Sequence, residues 1–153
     1  MSLQDWSRMG QVIEHKATVA EVRNLMGVVD RELADASISG LSDDGRFTHA
    51  YDAALILCKL ALHVTGFELQ KRVPGHHALW VNSLEYTVGG STVGGVMQHL
   101  LKSSKLRHTG LYDHAGVVQK EDADDLLAVA RQLRVDVVGW LRSMHSKLLP
   151  RGF

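Results

Sequence analysis

Apolar residues recur at Val22, Leu25, Met26, Val29, Leu33 and Ala36, the three-and-four spacing of a single helix face. The spacing predicts a helix over about 18–37. Thr18 and Glu21 stand at capping-box positions, each able to satisfy an orphan amide at the helix start. Gly40 and Ser42 reset the chain, and a second helix is expected from a Ser42 cap to about Thr65, with Gly66 as its stop. This segment is apolar almost all round from Ala50 to Leu62, as a central element of a bundle must be. Its polar residues His49, Asp52, Lys59 and His63 fall on one stripe, which reads either as the lining of a groove or as an exposed strip.

On either side the pattern is shorter. Leu3, Trp6, Met9 or Gly10, and Ile13 suggest a short amphipathic helical arm over 3–16. Residues 67–74 read as a connection, and Gly75-His76-His77 starts a helix to about Tyr86 with Leu79, Trp80 and Leu84 as apolar contacts. After the loop Gly89-Gly90-Ser91-Thr92, with a cap at its end, Val93, Val96, Met97, Leu100 and Leu101 form a face continuing towards Arg107. Glu121, Asp122, Asp124 and Asp125 crowd the start of a last helix, where they complement its dipole. Its stripe runs through Leu126, Val129, Ala130, Leu133, Val137, Trp140, Leu141, Met144 and Leu148 to near Pro150. With only two prolines, at Pro74 and Pro150, the fold class is all-α: an antiparallel up-and-down bundle of four to six helices. The expected organisation is an amphipathic arm over 1–17 and one bundle over 18–149.

Length and charge narrow the function classes. A chain of 153 residues suits one domain. Its 17 basic and 17 acidic side chains cancel, so affinity for nucleic acid would have to come from a local patch. One segment qualifies: from Tyr86 to Tyr112 there is no Asp or Glu, while His99, Lys102, Lys105, Arg107 and His108 all occur. The single cysteine, Cys58, lies in an apolar run and has no intrachain disulfide partner. The run from Ala53 to Leu62 is broken by Lys59 and too short to span a bilayer, and no leader pattern is seen. A cytoplasmic protein without a membrane partner is expected. The pairs Gly89-Gly90 and Gly94-Gly95 lack a phosphate-loop Lys-Ser ending and read as turn and packing.

The chemistry concentrates at Arg107, His108 and His114. Arg107 and His114 are seven residues apart, about two helical turns, so unbroken helix would aim both at one side. Gly110 between them either stays in the helix or ends it, leaving Tyr112, Asp113 and His114 on a loop. Arg107 follows Leu100 by seven residues and should sit at the edge of the buried face, where it needs an acceptor. That acceptor is either a phosphate or a structural carboxylate, Asp52 or Asp113. Adjacent His76 and His77 point about 100° apart on a helix, which disfavours joint ligation of one metal. No H-x(3)-H or E-x-x-H spacing occurs among the nine histidines, and neither a metal nor a cofactor is expected.

Arg107, the polar residue after it, and His114 after a gap of six resemble the R-x(4–6)-H signature of HEPN domains, helical nucleotide-binding bundles. Asp44-Gly-Arg46-Phe-Thr-His-Ala50-Tyr51-Asp52-Ala-Ala54 is similar to the first core helix of small bacterial members. Gly75-His76-His77 and the 123–141 segment resemble two further elements, in the expected order over roughly 20–145. The resemblance implies a metal-independent endoribonuclease in which Arg107 clamps the phosphate, His114 is the acid–base group, and His108 orients. It also implies a homodimer with the motifs facing each other, an RNA substrate or nucleotide ligand, and an antitoxin as partner protein. Tyr112, Lys102, Lys105, His49, Asp52, His76 and His77 are the candidate substrate contacts. Tyr112 stands five residues after Arg107, where the commonest spacing has histidine; it can donate to phosphate but is a poor base at neutral pH. The alternatives are a non-catalytic HEPN module that binds nucleotide, RNA or protein, and a helical metalloprotein using some of the histidines.

Overall fold

The chain is mostly helical, and side chains placed at the helix starts hold the first free amides. The structure is a computed structural model that describes residues 1–90, 93–108 and 114–153. Helix α1 (Leu3–Arg8) is capped by Ser2, which accepts from the Asp5 amide while the Asp5 carboxylate accepts from the Ser2 amide at 2.8 Å. Strand β1 (Val12–Glu14) follows, then α2 (Val19–Asp35) with Thr18 as cap and α3 (Asp43–Val64) with Ser42 as cap. Strand β2 (Phe67–Leu69) leads to α4 (His76–Ser83), a 3₁₀ turn at Leu84–Tyr86, and α5 (Val93–Leu106). Helix α6 (Lys120–Met144) and a 3₁₀ turn at Ser146–Leu148 finish the fold.

Helix α3 is the hub. Ala50, Tyr51, Ala53, Ala54, Leu57, Cys58, Leu60 and Ala61 are all fully buried, so apolar side chains leave it in nearly every direction. It packs on α2 and α6 most extensively, and also on α4, α5 and β2. Met26 and Val29 face it from α2, and Leu126, Ala130, Leu133, Val137 and Leu141 from α6. Burying one Leu in such a core contributes about 2 kcal/mol. Arg46 of α3 pairs with Asp124 of α6 at 2.6 Å, and Arg134 of α6 pairs with Asp30 of α2 at 2.7 Å. Burial pushes the Cys58 thiol well above its ordinary range, which leaves it a small apolar filler.

The amino-terminal arm departs from the expected helix. Gly10 takes a left-handed φ of 75°, closing α1, and the next residues pair as a strand. Strands β1 and β2 are antiparallel, with Val12 opposite Leu69, Ile13 opposite Glu68 and Glu14 opposite Phe67. The alternation decides the faces: Val12 and Leu69 are buried, while Ile13 is 38% exposed. Met9 and Ile13 therefore do not continue the Leu3–Trp6 face, and the stretch 67–74 begins as strand and not as plain connection. Leu3, Trp6, Val12, Leu62 and Leu69 make a second small core over the end of α3. The last helix also stops earlier than its stripe suggested, at Met144, whose side chain is largely exposed. Among the described residues, no helix is long and apolar enough to cross a membrane.

Candidate functional site

Arg107 reaches its place because Leu100, two turns earlier on α5, is fully buried, which returns the arginine to the edge of the core. There α5 gives way to a π-type turn at Arg107 and His108. The guanidinium lies 3.5 Å from the Asp52 carboxylate and 5.2 Å from the Tyr51 ring centroid, so consecutive residues of α3 supply it with a charge and an aromatic face. Arg107 joins His77, Ser104 and His108 around a small cavity of about 130 Å³. The His77 ring stacks on Trp80 and lies 6.0 Å from the Tyr51 ring. The Tyr51 hydroxyl is buried beside Ser104 without a well-formed hydrogen bond among the described residues.

The electrostatics follow from this crowding. Partial burial of the imidazole and then the charge of Arg107 push His77 below its ordinary pKa, although the outer part of the residue is exposed. Burial raises the Asp52 carboxyl against the opposing pull of Arg107. The result is a fixed cation beside a neutral imidazole and an imperfectly held carboxylate.

Other candidates go elsewhere. His76 bonds the Gln70 carbonyl at 2.9 Å and leans on Trp80. His49 bonds Glu32 of α2 at 2.6 Å, and Lys59 sits 5.8 Å over Trp80. The polar stripe of α3 thus divides: Asp52 serves the Arg107 cavity, Lys59 faces α4, and His49 and His63 serve α2. Lys102 lines a separate small cavity with His99, Asp122 and Asp125, and Lys105 is exposed. Asp124 pairs with Arg46 and Lys120, while Asp122 accepts from the Gln119 amide, so these acids hold the helix start. His114 is exposed and makes no hydrogen bond or ion pair with another described residue. Tyr112 and Asp113, the path of the chain through Gly110, and the expected cap at Thr92 lie outside the described residues.

A second constellation has no counterpart in the sequence expectations. His15 Nε2 contacts Glu21 Oε2 at 2.8 Å, His63 Nδ1 contacts Glu21 Oε1 at 2.7 Å, and His15 Nδ1 contacts Glu68 at 2.8 Å. The two imidazoles lie 4.3 Å apart. Glu21 was expected to cap Thr18; only the Thr18 half of that capping box forms, with the Glu21 amide donating to Thr18 Oγ1 at 3.1 Å, and the carboxylate is turned to the histidines. Four residues from four stretches meet here because β1 pairs with β2 beside the end of α3. The local signals available were Glu21 in a first helical turn and His63 in a last one. No protein-family model matches the chain, and no curated protein or solved structure matches it either.

Proposed function

We propose that the chain is an HEPN-like antiparallel helical bundle that binds RNA by a phosphate seated at Arg107. The observation that supports this best is the looseness of the Arg107–Asp52 contact beside a small cavity lined by His77, Ser104 and His108. A tight charge-assisted pair has its nitrogen and oxygen about 2.8 Å apart, so at 3.5 Å the guanidinium keeps, among the described residues, donor capacity for a better acceptor. A phosphate oxygen is such an acceptor, and Arg107 has a planar fork that matches two of them. The absence of acids from Tyr86 to Tyr112 lets the local field draw an anion in a protein of zero net charge. The homodimer implied by the family would face two such sites across one groove.

Cleavage is the second reading, favoured by His77, whose imidazole lines the same cavity as the guanidinium and can share acid–base work with the His114 that the family resemblance implies. In it Arg107 stabilises charge on the phosphate, His114 supplies acid–base chemistry, His108 orients, and the RNA 2′-hydroxyl attacks; the natural role is then the toxin of a toxin–antitoxin pair. Titration of a fluorescent single-stranded RNA in low salt tests both. Arg107→Ala is expected to weaken binding tenfold or more, on the order of 1.5 kcal/mol. Product appearing in the presence of chelator, and lost in Arg107→Ala, makes it an enzyme; binding without product makes it a binding module. Equal affinity in wild type and Arg107→Ala would remove the site from consideration.

A further inference from the structure

We propose that His15, Glu21 and His63 form a binding site for a divalent transition-metal ion of the zinc class, with Glu68 orienting His15. One ligand atom from each of the three residues lies within 4.8 Å of the others. The contacts between imidazole nitrogens and the Glu21 carboxylate are 2.7 to 3.0 Å. In a tetrahedral zinc site with bonds of about 2.0 Å, neighbouring ligand atoms stand roughly 3.3 Å apart. Each imidazole nitrogen therefore needs to move away from the Glu21 carboxylate by only about half an ångström to admit an ion, a change that small side-chain rotations supply.

The surroundings fit a ligand set better than a chance meeting of charges. Glu68 holds His15 Nδ1 at 2.8 Å, the carboxylate–histidine arrangement that leaves Nε2 as the metal donor. The backbone amide of His15 donates to the Gly66 carbonyl at 2.8 Å, which fixes the histidine against the turn that follows α3. His63 is 8% exposed in the last turn of α3, while His15 and Glu21 side chains are 21% and 25% exposed. An ion can enter from solvent, and a water can complete the fourth position. Two imidazoles and one carboxylate suit zinc and its neighbours, whereas calcium and magnesium prefer oxygen throughout. Among the described residues the other cluster of this kind, Glu32 with Asp35 and His49, offers one imidazole, and its Glu32 also pairs with Arg31.

The metal would bind as a clip joining the end of β1, the start of α2 and the end of α3. Protein stripped with chelator and titrated with zinc alone in a calorimeter is expected to take up one ion per chain, at about micromolar affinity or tighter. Cobalt in its place should give the intense visible bands of a four-coordinate site. The double variant His15→Ala/His63→Ala should lose affinity at least a hundredfold, Glu68→Gln about tenfold, and His49→Ala and His77→Ala should bind as wild type does. No uptake by the wild type overturns the proposal, as does equal uptake by the double variant. Should the double variant fail to fold, Glu68→Gln decides: unchanged cobalt affinity and spectrum there also overturns it.

Discussion

Arg107 and Asp52 face each other at 3.5 Å, near enough to attract and too far for a tight hydrogen bond. The carboxylate is thereby a placeholder that competes with any anion for the same guanidinium. Asp52→Asn should tighten binding of a short RNA roughly fivefold, about 1 kcal/mol, because the competing charge is gone while the shape stays. Fluorescence anisotropy at low salt measures it, and a weaker complex in Asp52→Asn would count against the anion site.

His77 gives the same site a pH response. Its folded pKa lies below 6.5, so it is neutral at pH 7 and gains charge only as pH falls through that lowered value. Phosphate affinity should therefore be flat above pH 7 and rise on acidification. Stability moves the other way, since the unfolded chain takes up the proton first, below pH 6.5. In His77→Ala the rise in affinity should shrink to the part that Asp52 supplies as its raised carboxyl takes up a proton, as a binding titration from pH 8 to pH 5 would record.

Tyr51 separates ring from hydroxyl. The residue is fully buried, carries the Arg107 guanidinium on its face, and has a hydroxyl without a well-formed partner among the described residues. Tyr51→Phe should change stability by about 1 kcal/mol or less and leave RNA affinity near wild type. Tyr51→Ala should cost about 3 to 5 kcal/mol through the cavity it leaves. Urea denaturation distinguishes the two.

Glu32 lies in a half-buried pair with His49. Burial works to raise its pKa, but hydrogen bonds from His49 and Arg31 hold it lower than usual. Such a depressed carboxyl contributes stability above its unfolded pKa of about 4.5 and loses it as pH falls through the folded value. Glu32→Gln should cost about 1 kcal/mol at pH 7 and progressively less as pH falls below the ordinary carboxyl range, with acid-side thermal melts as the check.

How far the sequence foretold this molecule depended on whether the signal was local. Helices α2 and α3 were legible because their apolar spacing, the Thr18 and Ser42 caps and the Gly66 stop all agree. The half-buried position of Arg107 followed from Leu100 by simple azimuth, and Asp52 was one of its two foreseen partners. Strand β1 was hidden because three residues are too few for a period, and Ile13 happens to fall at helical spacing from Trp6. The His15–Glu21–His63 group was hidden for a different reason. Its members are joined by strand pairing and helix packing, which no spacing along the chain records.

The pairing of Val12–Glu14 with Phe67–Leu69 also covers the end of α3. A version beginning after Glu14 would bare the hydrogen-bonding edge of Phe67–Leu69 and strip the cover from Leu62 and Leu69. Such an edge accepts any extended segment of suitable register. The shortened molecule would therefore carry an unpaired strand beside an uncovered apolar face at that end of the fold.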